Sequence, residues 1–595
     1  MTGAALTWQQ LRDLNLSEVE DAGDGWSEVS SRAGSDRDAT DSAMSAKLRE
    51  TQESESSRAA LGRLERLSRN FQYVHAEAGL ISTTLNGLTT ELATPKKQLT
   101  QALQDAADLG FTVQQDGSVR YPAATTEGLL GAQDHLGGSA NGTTRLPLDP
   151  RPSPAAPGPL SIPNPNAAEA RAIADRVARA VGSAGEIDAR YARALRKLKA
   201  AKGLDVTTAT FADVARDTAA VRDTARRYLE QGIPENKSPA ERKAWWDALS
   251  EEQQREYIDV APDLVGYLDG IPAVARDEAN RNYLPLLIDE LEREGGGGAE
   301  TKLAALRGIE QKLSEPTRPP MYLLGIGAEG NGRAIVSYGN PDTSRNVSAY
   351  VPGLSNRLDE EFVNGTMKRA LDTAKGAKKY DESSAAIIWL GYDAPLSADV
   401  ASESSAKKGA PLYNSFMSGL VATNEHKDSH FTAIGHSYGS LTVGTASQRD
   451  GGIPGVDDII LVGSPGTGVS KAEDLGVGEG HVFVGAAEND PVTHLPTKQE
   501  AGVGALAANF GLPPGPVTKG VGFQSEDLYF GKDPASKAFG ATRFQVDNGP
   551  RPVFDLGGFD AHSQYFTPER DAISADNIAR IVAGKAEGIK GEAWR

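Results

Sequence analysis

The sequence predicts a C-terminal α/β domain with a mostly parallel sheet, preceded by all-α regions that form helical hairpins or bundles. Up to about Leu313 the chain is dominated by Ala, Glu, Arg, Leu and Gln, with apolar residues three and four positions apart, which indicates amphipathic helices. Beyond Pro320, short apolar runs alternate with helical patterns and are separated by Gly, Asp and Pro. This alternation of short apolar runs and helical patterns is typical of buried parallel strands joined by helices.

Length, charge and cysteine content exclude several classes of protein. The 595 residues allow about four domain-sized units. Acidic residues outnumber basic ones, 81 to 62, and the resulting charge of −19 disfavours binding to nucleic acid or anionic lipid. No cysteine is present, which excludes disulfides, thiolate metal sites and a cysteine nucleophile.

The chain carries no sequence signal for membrane insertion or cleavage. No apolar run approaches the roughly 20 residues that a transmembrane helix needs, so we expect no such segment. The N-terminus lacks the basic and apolar regions of a signal peptide. We therefore expect a protein that is either cytoplasmic or exported without a cleaved signal.

The helical half divides by composition into three segments. Residues 1–121 are expected to form a helical hairpin domain that ends in a short β-hairpin, because Asp116-Gly117 lies between β-prone residues. Residues 122–166 are rich in Pro, Gly and Ala, and their last part in particular is expected to be an extended linker. Residues 167–315 are expected to form a second helical domain.

The C-terminal α/β domain is expected over residues 316–595. Its predicted strands are Met321–Ile326, Ala334–Tyr338, Val347–Val351, Ala385–Leu390, Phe431–Ile434, Asp458–Val462 and His481–Val484. Gly325 to Gly330 matches the G-x-G-x-x-G pattern of dinucleotide-binding proteins, but the next segment is a predicted strand, not a helix. We therefore expect a β-hairpin at this point, and we expect no metal or organic cofactor.

The segment Gly435-His436-Ser437-Tyr438-Gly439 matches G-x-S-x-G, the pattern of a nucleophile elbow. A serine on a sharp strand-to-helix turn has a strained backbone, and glycines two residues away on each side avoid collisions with the strand and the helix. An apolar strand precedes the pattern and a helix start follows it, as such a turn requires. Ser437 is therefore the predicted nucleophile.

A serine nucleophile needs a histidine base, which in this type of fold follows the serine and the acid along the chain. Three histidines follow Ser437. His481 opens a predicted strand, and His494 lies too close in sequence to the expected acid. His562 lies in a glycine-flanked loop before the last helix, so we predict His562 as the base.

The predicted acid is Asp490, which follows a predicted strand and precedes Pro491. A carboxylate just beyond a strand end can accept from the second imidazole N–H and fix the tautomer. Glu488 and Asp560 remain as alternatives. For the oxyanion hole, we expect the backbone N–H of Tyr438 and, from the loop after the third strand, that of Leu354.

These motifs resemble those of a family of actinobacterial α/β-hydrolases long catalogued as a domain of unknown function. The resemblance rests on Val351-Pro-Gly-Leu, Gly435-His-Ser-Tyr-Gly-Ser, Val462-Gly-Ser-Pro-Gly, Asp560-Ala-His-Ser-Gln-Tyr and, upstream, Trp245-Trp246-Asp-Ala-Leu. It implies a serine hydrolase, with Ser437, Asp490 and His562 at the triad positions.

The residues up to about Gly110 more loosely resemble the WXG-type helical hairpins exported by type VII secretion. Trp26 corresponds to the signature tryptophan of the turn, with Ser27-Glu28 in place of the glycine. This resemblance implies a protein partner for the N-terminal helices and export without a cleaved signal.

The leading hypothesis is a triad serine hydrolase that cleaves a small-molecule or lipid-like ester, less favourably an amide, through an acyl-enzyme. Esters are favoured because most hydrolases of this fold cleave them. The alternative is a secretion-associated interaction or effector protein whose helices carry the role, with a vestigial or acyl-transferring hydrolase domain.

Overall fold

A computed structural model describes residues 6–51, 54–128, 131–144, 164–198, 206–396, 402–495, 497, 527–551 and 560–595. The chain forms two compact units. The helical unit contains Met1–Ile233 and Glu251–Ala261, and the sheet unit contains Pro234–Ser250 and Pro262–Arg595. None of the helices in the described ranges is both long enough and apolar enough to span a bilayer.

The secondary structure follows the chain in this order. The α-helices are α1 (Trp8–Asp13), α2 (Leu16–Ala39), α3 (Ala46–Thr51), α4 (Glu55–Asp108), α5 (Asn166–Leu195), α6 (Thr208–Gly232), α7 (Pro239–Ala248), α8 (Glu251–Val260), α9 (Pro262–Val265), α10 (Ala273–Glu294), α11 (Gly297–Ser314), α12 (Met367–Ala377), α13 (Ser404–Thr423), α14 (Gly439–Ser447), α15 (Asp560–Ser563) and α16 (Ala572–Val582). The strands are β1 (Thr112–Val113), β2 (Val119–Tyr121), β3 (Ala124–Gly128), β4 (Gly131–His135), β5 (Gly138–Ala140), β6 (Met321–Gly327), β7 (Arg333–Tyr338), β8 (Asn346–Val351), β9 (Ser384–Leu390), β10 (His430–His436), β11 (Val456–Val462), β12 (Val482–Gly485), β13 (Asp527–Leu528), β14 (Gly531–Lys532) and β15 (Thr542–Arg543).

In the helical unit, α2 and α4 form an antiparallel hairpin onto which α5, α6 and α8 pack. The Ser30 hydroxyl donates to the carbonyl oxygen of His75 at 2.7 Å across the hairpin. On the other side of α4, the Tyr191 hydroxyl of α5 donates to Glu91 at 2.7 Å. Helix α8 joins through the Tyr257 hydroxyl, which donates to a main-chain carbonyl of α6 at 3.3 Å. The helical character that the amphipathic spacing predicted for this region is confirmed.

The β-hairpin predicted at Asp116-Gly117 is confirmed, because β1 and β2 pair antiparallel around this turn. Gly117 has a φ of 82°, and the Asp116 carboxylate accepts from the amide of Ser118 at 2.9 Å. By contrast, Trp26 lies inside the continuous helix α2 and is 41% exposed. The chain therefore does not turn at this tryptophan, unlike the WXG motif that it resembles.

The units of the structure divide the chain differently from the four expected segments. Strands β3, β4 and β5 lie within residues 122–166, where a linker was expected, while residues 145–163 lie outside the described ranges. Helices α5 and α6 pack with the N-terminal hairpin, and α7 and α9–α11 belong to the sheet unit. An amphipathic pattern shows that a helix has a buried face, but it does not show which neighbour covers that face.

The connection between α10 and the sheet shows why the unit begins before residue 316. Strand β6 is an edge strand, and side chains of α10 satisfy its outward main-chain groups. Asn280 donates to the carbonyl oxygen of Leu323 at 2.9 Å, and Asp277 accepts from the Leu323 amide at 2.7 Å. Arg281 donates to the carbonyl oxygen of Met321 at 3.1 Å. These bonds cover an edge that would otherwise expose unpaired polar groups.

The predicted α/β fold with a mostly parallel sheet is confirmed in the sheet unit. The eight strands follow the order β15-β12-β11-β10-β8-β9-β7-β6, and only β7 runs antiparallel to its neighbours. The expected hairpin after Gly327 is the β6–β7 connection. Apolar side chains fill both faces: α10–α12 and α16 cover one, and α13 and α14 cover the other. Burial on both faces explains why the strands are nearly continuous apolar runs.

Candidate active site

Ser437 lies at the turn between β10 and α14, with a φ of 56°, in the left-handed region. A side chain other than glycine is uncommon there and strained, and such residues cluster at functional sites. The Ser437 amide donates to the carbonyl oxygen of Val462 on the adjacent strand β11 at 3.1 Å, which fixes the turn above the sheet. Ser437 thus stands at the carboxyl end of the central strand.

The two glycines of the motif are required by close contacts. A Cβ on Gly435 would lie 2.7 Å from the Cα of Ser440, because the helix start folds back over the strand. A Cβ on Gly439 would lie 2.1 Å from the carbonyl oxygen of Val351 at the end of β8. Either collision would displace the turn that carries Ser437.

The loop after β8 runs directly beside the serine. A Cβ on Gly353 would lie 2.6 Å from the Cβ of Ser437 and 2.8 Å from the amide nitrogen of Tyr438. Ser355 fixes the loop, with a φ of 62° and an amide that donates to the carbonyl oxygen of Pro395 at 2.9 Å. Within the described ranges, neither the Tyr438 amide nor the Leu354 amide donates a hydrogen bond.

His562 and Asp490 form a buried pair, although 72 residues separate them. The His562 Nδ1 lies 3.0 and 2.9 Å from the two carboxylate oxygens of Asp490. The carboxylate also accepts from the Tyr565 hydroxyl at 2.6 Å and from the Val492 amide at 2.9 Å. Burial alone would raise the pKa of Asp490, but the hydrogen bonds from His562 and Tyr565 hold it below its usual range. Asp490 is therefore an ionised carboxylate facing an imidazole at neutral pH.

The alternative acids are elsewhere. The side chain of Asp560 is 77% exposed and lies 4.0 Å from Arg570. The main-chain carbonyl of Glu488 faces the Nε2 of His494 at 3.0 Å, so these two residues contact each other on the turn after β12. The structure brings His562 to Asp490 and not to either alternative.

His481 belongs to a different cluster, at the amino ends of the strands. Its Nδ1 lies 2.7 Å from the Asp458 carboxylate on β11, and the Nε2 of His430 lies 2.8 Å from the other oxygen of the same carboxylate. Asp458 is buried. This histidine–aspartate–histidine cluster lies at the end of the sheet opposite Ser437.

The His562 ring reaches the serine turn through its neighbour His436. The two imidazole rings are stacked, with centroids 4.6 Å apart and an interplanar angle of 28°. Gly463, with a φ of 56°, leaves room for the pair, because a Cβ there would lie 2.8 Å from the His562 ring and 2.9 Å from Asp490. Among the residues described, no hydrogen bond joins the Ser437 hydroxyl to the His562 ring.

Sequence reasoning missed three residues of this site: His436, Gly463 and Tyr565. Two weak signals existed, because Gly463 lies in the Val462-Gly-Ser-Pro-Gly motif and Tyr565 closes the Asp560-Ala-His-Ser-Gln-Tyr motif. No group of three or more His, Asp or Glu side chains in the described ranges is arranged to bind a metal ion. The chemistry available is thus that of a strained serine, an imidazole–carboxylate pair and unpaired main-chain amides.

Comparison with known proteins agrees with this architecture. Residues 328–500 match the model of a family described as alpha/beta hydrolase. An uncharacterised protein of Mycobacterium bovis is 35% identical over 246 residues, which cover 38% of this chain and 91% of that protein. An uncharacterised protein of Mycobacterium tuberculosis is 27% identical over 383 residues, which cover 58% of this chain. The match spans only 55% of this second relative's length.

Solved structures were also matched, with low overall superposition scores. An esterase of Pyrobaculum calidifontis has a TM-score of 0.24 and 12% identity, covering 51% of this chain and 98% of its own. An esterase of Mycobacterium marinum has a TM-score of 0.24 and 11% identity, covering 51% of this chain and 89% of its own.

Proposed function

We propose that this chain, which belongs to the α/β-hydrolase family, is a serine hydrolase with Ser437, His562 and Asp490 as its catalytic triad. The observation that supports this most is the buried His562–Asp490 pair. The His562 ring stacks on His436, the residue before Ser437, and Ser437 has a left-handed backbone at the carboxyl end of the sheet. Ligand sites of open parallel sheets lie at this end.

In the proposed reaction, the Ser437 Oγ attacks the carbonyl carbon of an ester while the Nε2 of His562 takes the hydroxyl proton. The Asp490 carboxylate accepts from Nδ1–H, which fixes the tautomer and stabilises the imidazolium. The proton then passes to the leaving alcohol, and an acyl group remains on Ser437. Water, deprotonated by His562, releases the acid and restores the serine. Nucleophile–base contacts are often loose without substrate, so the Ser437–His562 bond is expected to form in the complex.

The oxyanion of each tetrahedral intermediate is assigned to the amides of Tyr438 and Leu354. Support comes from their unpaired N–H groups in the described ranges and from the close approach of the Gly353 loop to the Tyr438 amide. Preorganised main-chain donors of this kind are typically worth about 10²- to 10³-fold in rate each.

We assign an ester in preference to an amide as the substrate, by analogy with other hydrolases of the fold. A series of p-nitrophenyl esters with acyl chains from acetate to palmitate would define the acyl preference. A lipid-like substrate requires that activity rise with chain length.

Labelling with a fluorophosphonate probe tests the proposed nucleophile. The full chain should be labelled, and Ser437→Ala should not be. Ser447→Ala is the matched control, because Ser447 is a buried serine of the following helix whose hydroxyl donates to a main-chain carbonyl. An unlabelled wild-type protein, or a Ser437→Ala variant labelled as well as the control, would contradict the proposal.

A further inference from the structure

The histidine of the elbow, His436, makes contacts that the proposed reaction does not use. Its ring is buried at the end of β10, and its Nε2 lies 2.8 Å from the main-chain carbonyl oxygen of His562. On the other side of the ring, the Nδ1 lies 3.2 Å from the Tyr350 hydroxyl. The Tyr350 oxygen in turn lies 2.9 Å from a guanidinium nitrogen of Arg369.

We propose that His436 is a positioning residue, which holds the catalytic imidazole of His562 by a main-chain hydrogen bond and by ring stacking. This inference rests on the proposed function, since it assigns to His436 a role that acts only through His562. It concerns no contact with substrate.

One direction of this series of hydrogen bonds lets the Tyr350 hydroxyl donate as well as accept. Arg369 can only donate, so the Tyr350 oxygen accepts from it and directs its own proton to the Nδ1 of His436. The carbonyl of His562 can only accept, so the Nε2 of His436 must carry a proton. The contacts at Nδ1 and at Nε2 therefore favour the same state of His436, a neutral ring with its proton on Nε2.

The surroundings favour this neutral ring. Burial, followed by the nearby His562 and the Arg369 cation, lowers the pKa of His436 well below its usual range. A second proton, on Nδ1, would also face the Tyr350 hydroxyl at 3.2 Å and a guanidinium nitrogen of Arg369 at 3.5 Å. His436 therefore stays uncharged while His562, stacked against it, gains and loses its proton.

The position of His562 in the chain explains why such a support is needed. It lies on α15, a helix of four residues, Asp560–Ser563, which is too short for most of its main-chain groups to have partners within the helix. The side chain is held at Nδ1 by Asp490, and the main chain is held by His436. Hydrogen bonds that orient metal-binding histidines change activity by about 10- to 100-fold when they are removed, and we expect a loss of the same order here.

Two substitutions separate the hydrogen bond from the ring. His436→Phe keeps an aromatic ring against His562 but removes the donor, whereas His436→Gln keeps an amide donor near Nε2 but removes the ring. We expect the second-order rate constant of fluorophosphonate labelling to fall about 10- to 100-fold in His436→Phe. His436→Gln should recover at least half of that loss on a logarithmic scale.

The supporting tyrosine provides a matched pair. Tyr350→Phe removes the donor to Nδ1 and should slow labelling several-fold and shift its pH profile, because the tautomer of His436 is then fixed only at Nε2, by the His562 carbonyl. Tyr413→Phe removes a buried hydroxyl that donates to the Ala349 carbonyl at 2.9 Å on the other face of the sheet. The Tyr413 variant should keep the wild-type rate and profile.

The tautomer of His436 can be measured on the unmodified full chain, so this test does not depend on whether a variant folds. Imidazole nitrogen spectra of ¹⁵N-histidine-labelled protein should show one neutral ring, protonated on Nε2 and not titrating from pH 5 to 9. A His436 that titrates in this range, or carries its proton on Nδ1, would overturn the proposal. So would His436→Phe with the rate and pH profile of the wild type. Absence of labelling in the wild type contradicts the proposed function instead.

Discussion

The sharpest test of the assigned triad is Asp490→Asn, because every contact of this carboxylate is known. One oxygen accepts from the Val492 amide at 2.9 Å, and the other accepts from the Tyr565 hydroxyl at 2.6 Å. The His562 Nδ1 lies about equally close to both. An asparagine must replace one oxygen by an NH₂ group, so in either orientation an amide donor faces an existing donor.

The expected loss follows from the charge as well as the geometry. Asparagine has no negative charge to stabilise an imidazolium at His562, and its NH₂ group favours the wrong tautomer of the ring. The comparable change in a serine protease lowers kcat by about 10⁴-fold. That factor corresponds to about 5.5 kcal/mol of transition-state stabilisation. We expect the labelling rate constant of Asp490→Asn at pH 7 to fall by about this factor.

Asp458→Asn is the matched control for this experiment. Asp458 is also a buried aspartate with imidazole partners, His430 and His481, at 2.8 and 2.7 Å, but it lies at the opposite end of the sheet. This variant should lose stability and keep its labelling rate within about threefold. If Asp490→Asn is folded by circular dichroism and labels within tenfold of the wild type, the assignment of the acid is wrong.

Three further predictions use single contacts of the structure. Gly353→Ala places a Cβ 2.6 Å from that of Ser437, and labelling should slow by about 10²-fold or more without unfolding; a wild-type rate would contradict the oxyanion assignment. Tyr565→Phe removes one donor from the Asp490 carboxylate and should lower the free energy of unfolding in urea by about 1.5 to 3 kcal/mol at pH 7. Because the pKa of Asp490 is lowered in the folded state, the stability difference between Tyr565→Phe and the wild type should be largest above the unfolded pKa of about 3.9. It should shrink as the pH falls below that value. A difference that does not depend on pH would contradict the bond between Tyr565 and an ionised Asp490. Burial, together with the nearby Asp217 and Asp213, raises the pKa of Glu77 to about 7 in the folded protein. The free energy of unfolding that is present when Glu77 is protonated, below about pH 4.3, is therefore partly lost as the pH rises through 7 and Glu77 ionises. Glu77→Gln should therefore raise the Tm of the helical unit at pH 8 but not at pH 4, and an equal change at both would exclude this cause.

The sheet could be predicted because its physical cause is local. Strands buried on both faces must be apolar at nearly every position, and seven such runs were visible. The eighth strand, Thr542–Arg543, has two residues, which is too short for any pattern. The sheet unit also includes helices before residue 316, because the partner of an amphipathic helix is decided by tertiary contacts, such as those of Asn280 with β6.

In the candidate site, too, residues marked by a local sequence pattern could be predicted, and residues placed by tertiary contacts could not. A glycine–serine–glycine pattern between a strand and a helix selects Ser437, and chain order limits the choice of acid and base. His436 carries no such signal, because its main contact is with a carbonyl 126 residues away. Its role depends on the fold bringing Tyr350, Arg369 and His562 around one ring, and a single sequence contains no trace of that arrangement.

The placement of α8 has a consequence for how the chain is made. Helix α8, Glu251–Val260, belongs to the helical unit, but α7 before it and α9 after it belong to the sheet unit. During synthesis, domains fold as units while the chain emerges from the ribosome. The Tyr257 and Asp259 contacts with α6 and His75 therefore cannot form until after Pro234–Ser250, the first part of the other unit, has been translated. Neither unit can therefore be completed before synthesis of the other has begun. A truncation at any single peptide bond also cannot separate the two units intact.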